Sequence, residues 1–367
     1  MKKKLISSLL VFTMVAGLLT GCSGGASDSG SGDSSESENQ SSEESGELQK
    51  VVIAANPLSG QVLDAISTDR GFYEEEGIEV EINYCNSNED AFTALSTGHA
   101  DLVSTYGTGM PLQYIGNGED LTIFAGYMLE GAMTLITKPG VEINDASDLD
   151  GMKVAGNISD YCVSWPAEEA GATIEWVEIP EHQDRLQAVA NGEVDAMVGT
   201  TGIDYNAREL GLEVAAYCDD LMPEYSCCRA ACRTEWLEEN PEAVKGLLKA
   251  WIRALNVLQT ERDYAIDLMT ETLDLDRDYC ANYMENEHWN INVDPDLYAV
   301  SRAWYAMGQL GLLSDDSLET LQAHYNSEIY KEALDECVET YYDENPEYYD
   351  GCLTFYEENN RLYEAYE

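Results

Sequence analysis

Positive charge is scarce in this chain. Nineteen lysines and arginines stand against 70 aspartates and glutamates, a formal charge of −51. A surface that acidic repels nucleic acid and anionic membranes, which excludes both as partners. Histidine is rarer still: His99, His182, His288 and His324 stand in no zinc or nucleophile spacing. His99 and His182 fall near helix ends and read as surface residues. The ten cysteines include no paired CxxC, and no glycine-rich phosphate loop is present. No metal or cofactor is therefore expected. Repeats of whole domains, which a cell-surface structural or adhesive protein would carry, are absent as well.

What is present begins with a processing signal. Met1-Lys2-Lys3-Lys4 precedes an apolar run over residues 5–19 that is too short to span a bilayer comfortably. A basic start, a short apolar core and small residues at the end describe a secretory signal peptide. Leu19-Thr20-Gly21-Cys22 resembles the bacterial lipobox, which implies cleavage before Cys22 and a diacylglycerol on its sulfur. Two acyl chains hold a protein at a membrane where one does not. The Ser, Gly, Asp and Glu residues that follow bury too little apolar surface to offset their ordering entropy, and read as a flexible tether. With Cys22 set aside, nine cysteines remain in a long chain. They are expected to be mostly buried or free thiols, with one or two bridges allowed.

The body alternates strand and helix signals, which predicts an α/β fold with largely parallel sheets. VVIAA (51–55) reads as a buried strand closed by Asn56-Pro57, and residues 61–71 read as helix. ALSTGHADLV (94–103) and AVANGEVDAMV (188–198) echo one another: helix, glycine stop, then a strand opening at Asp101 or Asp195. Farther on, Asn240-Pro241 is a helix start with proline at the first helical position. Val244, Leu247, Leu248, Trp251, Ile252, Leu255 and Leu258 then form one apolar stripe, which is core packing.

Five segments, in order, resemble the nitrate/sulfonate/taurine-type substrate-binding proteins of ABC transporters, a family that includes binders of thiamine pyrimidine precursors. They are RGFYEEEGIEVEI (70–82), AFTALSTGHADLVSTYGTG (91–109), DASDLDGMKVA (145–155), LQAVANGEVDAMV (186–198) and ENPEAVKGLLKAWIRAL (239–255). The resemblance implies a two-lobed periplasmic-binding-protein-like fold of type II, with two mixed or parallel sheets flanked by helices and joined by two crossing strands. The implied organisation is a signal peptide (1–21), lipidated Cys22 with its tether (22–49) and the first part of lobe one (50–127). Lobe two (128–224), a return strand with the rest of lobe one (225–325) and an acidic, tyrosine-rich extension (326–367) follow. It also implies capture of a small organic solute, sulfonate/carboxylate or pyrimidine-like, for ABC permease subunits; the high charge adds the expectation of a monomer, and the lipid anchor that of the outer face of a cell membrane. No covalent chemistry is expected; the alternative is a secreted cysteine- or histidine-dependent enzyme on the same fold.

Ligands of such folds lie outside the carboxyl ends of the strands, so the strand-end loops supply the candidate residues. These are Asn56 and Ser59 after the first strand, and Ser104, Thr105, Tyr106 and Thr108, whose hydroxyls or backbone N–H groups suit a polar or anionic group or simply cap a helix. Tyr127 and Glu130 lie at the outbound crossing. Asp160, Tyr161, Thr200 and Thr201 come from lobe two. Tyr106, Tyr127 and Tyr161 have rings that stack on a flat ligand or pack internally. At the return crossing, Cys228 and Arg229 are candidates, because adjacent cysteines on a strand point to opposite faces and one can enter the cleft. Arg229 suits a ligand carboxylate, sulfonate or phosphate; a buried salt bridge or a structural thiol pair is the competing reading.

Overall fold

The structure, a computed structural model, describes residues 48–57, 61–85 and 87–366. The expected signal peptide, the expected lipidation site Cys22 and nearly all of the expected tether lie outside the described residues. No described helix is long and apolar enough to cross a membrane.

Among the described residues, eleven strands form two sheets. They are β1 (Gln49–Ala55), β2 (Ile78–Tyr84), β3 (Leu102–Val103), β4 (Leu121–Gly131), β5 (Thr134–Thr137), β6 (Lys153–Ala155), β7 (Glu175–Val177), β8 (Ala196–Gly199), β9 (Glu213–Tyr217), β10 (Cys228–Arg233) and β11 (Trp289–Ile291). The first sheet runs β11-β4-β10-β3-β1-β2 and the second β7-β6-β8-β5-β9. The sheets are mixed rather than largely parallel. β1 pairs parallel with β2 and β3, and β6 with β7 and β8. By contrast, β10 runs antiparallel to β3 and β4, and β5 antiparallel to β8 and β9. The cause is topological. The chain leaves lobe one along β4 and re-enters along β10, so the two crossing strands oppose each other.

Both echo motifs fold alike. Gly98 and Gly192 end their helices at φ 74° and 78°, a left-handed conformation that glycine adopts without steric cost. Asp101 then accepts the Val52 N–H at 2.8 Å and returns its own N–H to the Val52 carbonyl. Asp195 does the same to Lys153, at 2.9 and 2.8 Å. Each aspartate thus pins the start of one strand to its parallel neighbour.

All seven stripe residues of the helix Pro241–Thr260 are buried. Its opening differs in detail from a side-chain cap: Asn240 donates to the Trp236 carbonyl and accepts from Gln49 instead. The tyrosine-rich end of the chain forms the helices Glu328–Tyr341 and Pro346–Asn359, which pack on lobe one. Tyr348 donates to the Ile252 carbonyl at 2.5 Å, and Lys249 pairs with both Glu76 and Glu336. Arg253 lies between the rings of Phe72 and Tyr341, 3.9 and 4.4 Å from their centroids, so cation–π contact and apolar cover join the tail to the body. All nine described cysteines are buried and free, and no bridge forms among them.

Candidate functional site

The crossing strands bring three parts of the chain together around a cavity of about 130 Å³. Lobe one contributes Asn88, Gly107 to Met110 and Gln113; lobe two contributes Met133 and Ser159 to Cys162; the return segment contributes Tyr225, Ser226 and Cys227. A wider space of about 690 Å³ adjoins it at Asn88 and is lined by Asn56, Ser87, Glu181, His182, Thr200, Thr201 and Tyr279 among others.

Two helices, Gly109–Gly116 and Tyr161–Glu169, begin at the smaller cavity, and neither start has a side-chain cap. Uncapped helix starts leave N–H donors and partial positive charge facing the space. Thr108 does not cap its helix. Its N–H goes to the Cys227 carbonyl at 2.7 Å and its hydroxyl accepts from Ser226 at 2.9 Å, which ties lobe one to the return segment. Tyr161 donates from its hydroxyl to the Ser226 carbonyl at 2.5 Å, while its ring lies beside Gly109. Asp160 accepts the Asn157 N–H at 3.0 Å, and burial pushes its carboxyl up.

The remaining candidates separate. Asn56 and Thr200 line the wider space; Thr201 does too, although its hydroxyl donates to the Gly131 carbonyl. Thr105 accepts the Asn56 N–H at 2.8 Å, and Ser104 is buried with no partner for its hydroxyl among the described residues. Ser59 lies outside the described residues. Tyr106 turns its hydroxyl onto the Cys85 carbonyl at 2.8 Å, edge-on to Phe92. Tyr127 is fully buried, donates to Asp64 at 3.0 Å and meets Trp251 edge-on. Of the three candidate stacking tyrosines, the cavity lining includes Tyr161 but neither Tyr106 nor Tyr127.

Glu130 lies on the far side of Tyr225 in a separate space of about 220 Å³ shared with Glu224 and Asp296, and burial pushes its carboxyl up. Arg229 is not open to either part of the cleft. Its fully buried guanidinium donates to the carbonyls of Pro295, Met128 and Cys228 and pairs with Asp296 at 3.3 Å. The salt-bridge reading therefore describes it, because a buried cation needs every donor satisfied. Cys228 is buried behind Cys227, and Cys227 is the cysteine of the two that lines the cavity.

Sequence reasoning missed Asn88 and Gln113, which sit on helices and carry no strand-end signal, and Tyr225 to Cys227, one to three residues from a chosen position. It also placed His182 at the surface. That ring lines the wider space with Nδ1 unpartnered among the described residues, and burial, with help from Arg185, lowers its pKa to about 4. No lysine or arginine lines either part of the cleft among the described residues, whereas Asp160, Glu181 and Asp276 do.

A family model described as NMT1/THI5 like matches residues 65–264, more than half of the chain and every element that walls the smaller cavity. The chain belongs to the NMT1/THI5-like family. Among curated proteins, this family member is 22% identical over 253 residues to the 4-amino-5-hydroxymethyl-2-methylpyrimidine phosphate synthase of Schizosaccharomyces pombe, covering 64% of this chain and 67% of that protein. A synthase among its relatives overturns the expectation that the chain performs no covalent chemistry. Among solved structures, the NMT1/THI5-like chain superposes on the periplasmic aliphatic sulphonate binding protein SsuA of Escherichia coli with a TM-score of 0.64 at 18% identity, over 75% of this chain and 91% of that one. It superposes on the periplasmic nitrate-binding protein NrtA of Synechocystis PCC 6803 with a TM-score of 0.66 at 15% identity, over 79% and 89%. The shared architecture is the two-lobed periplasmic-binding-protein fold.

Proposed function

We propose that this chain captures a small organic solute between its lobes and passes it to an ABC importer, tethered outside the membrane by lipid on Cys22. The observation that carries the reading is the cavity itself, walled by both lobes and the return segment, so that filling it favours the closed arrangement. Its size suits one ring: cavities of about 150 Å³ hold a benzene molecule. Its chemistry favours a flat, neutral or cationic, pyrimidine-like heterocycle over a sulfonate or carboxylate. The lining offers the rings of Tyr161 and Tyr225, the amides of Asn88 and Gln113 and the carboxylate of Asp160, and no side-chain cation. The uncapped helix starts are then met by a ring nitrogen or a hydroxyl oxygen.

Thermal unfolding against aminopyrimidines and alkanesulfonates tests this. A compound at a hundred times its dissociation constant stabilises the fold by about 2.7 kcal/mol. Stabilisation by aminopyrimidines, lost in Asn88→Ala, is the expected result; stabilisation by sulfonates alone would overturn the ligand class. Mass analysis of the same mixtures reads whether a bound compound is transformed.

A further inference from the structure

We propose that Cys227 and Cys228 form a peroxide-sensitive thiol pair that closes to a disulfide between neighbouring residues at the wall of the cleft. The geometry is unusual for a strand. Adjacent side chains of a regular strand point to opposite faces, yet these two sulfurs lie 3.5 Å apart. The backbone has left regular pairing here: the register between β10 and β4 slips between Cys228 and Arg229. A disulfide needs the sulfurs at about 2.05 Å, so closure is a local movement of two side chains and the peptide between them. The proposal goes beyond solute capture and does not depend on it.

The two thiols are also unequal. Cys227 lines the cavity, and its thiol is drawn below the ordinary value chiefly by the hydrogen bond with Cys228, with Tyr225 and the charge of Arg229 assisting. Cys228, behind it, is pushed well above, by that same hydrogen bond and by burial. The thiolate is the reactive form of cysteine, so the sulfur facing the cavity is the nucleophile and its neighbour resolves. Elsewhere, burial pushes the Cys232, Cys337 and Cys352 thiols up, which keeps them inert.

The oxidant is hydrogen peroxide. The Cys227 thiolate attacks one peroxide oxygen, the O–O bond breaks, a sulfenic acid forms and the departing oxygen leaves as water after taking a proton. The Cys228 sulfur then attacks the Cys227 sulfur. The S–OH bond breaks, and hydroxide departs with the Cys228 proton as a second water. Two thiols are oxidised to one disulfide and one peroxide is reduced to two waters. Closure displaces the Cys227 peptide, whose N–H is bonded to the Leu129 carbonyl at 2.8 Å and whose carbonyl holds the Thr108 N–H at 2.7 Å. Oxidation therefore alters the cleft at the junction of both crossing strands.

The test treats the folded full chain with hydrogen peroxide, adds dimedone to trap sulfenic acid, and maps peptides by mass. In the wild type, the peptide that contains both cysteines should lose two hydrogens, take up no dimedone and recover with dithiothreitol. Cys228→Ser should carry dimedone on Cys227, and Cys227→Ser should show neither change. An unaltered wild-type peptide would overturn the proposal. So would dimedone on wild-type Cys227 at the level of the Cys228→Ser variant, or a disulfide between other cysteines in place of this one.

Discussion

Asp64 organises the polar interior of lobe one. Its carboxylate accepts from Tyr73 at 2.6 Å, from Trp251 at 3.0 Å and from Tyr127 at 3.0 Å. Burial outweighs these bonds and raises its pKa to about 6, and burial likewise raises Asp294 to about 7. Both groups keep a proton in the folded chain that the unfolded chain has already released. Their contribution is complete below the ordinary carboxylate range and is lost as pH rises through 6 to 7. At about 1.4 kcal/mol per pKa unit, Asp64 accounts for roughly 2–3 kcal/mol of that fall. Urea unfolding at pH 4.5, 6 and 7.5 should therefore show a shallower decline in Asp64→Asn than in the wild type; equal slopes would remove Asp64 as the cause. Arg229 behaves differently. Arg229→Ala strands Asp296 without its cation, and breaking a buried pair on one side costs about 3–5 kcal/mol. Denaturant midpoints measure this directly, and a variant as stable as the wild type would contradict the buried placement.

At the scale of elements, β4 decides which expectations could be read from sequence. The strand is buried along its length except for Glu130. With both faces covered, alternation carries no inward or outward signal, which is why Tyr127 looked like a cleft residue and is core. The amphipathic helix Pro241–Thr260 was legible for the opposite reason: one stripe is buried and the pattern says which. Gly126, midway along β4, takes its N–H to the Val293 carbonyl at 2.8 Å, and a methyl group there would collide with the carbonyl oxygens of Asn292 and Asp294. Those oxygens belong to backbone and cannot swing aside as a flexible side chain can. Gly126→Ala is expected to cost at least the 1–3 kcal/mol typical of overpacking, read as a lower unfolding midpoint. No change in midpoint would show that the segment 292–294 can withdraw freely.

For the whole molecule, the two-lobed plan and the position of the cleft follow from the order of five motifs, whereas the identity of the wall does not. Asn88, Gln113 and Ser226 meet only because distant segments fold against one another, and nothing local marks them. The tail was equally opaque. Tyr330, Ala333, Leu334 and Cys337 have the spacing of one helix face, but what that face covers, the helix Pro241–Thr260, lies about ninety residues earlier. Removing residues 326–367 should expose this buried surface and leave a chain that binds a hydrophobic dye and aggregates. A soluble, dye-negative truncation would show the tail to be dispensable. The discontinuity of lobe one has a consequence for synthesis. The strands of lobe two, β5 to β9, come from one uninterrupted stretch, while lobe one needs β1 at its start and the helix Pro346–Asn359 at its end. A chain made from its N-terminus can therefore complete its second lobe while the first still waits for its last helices, with β1 to β4 holding unpaired edges until β10 arrives.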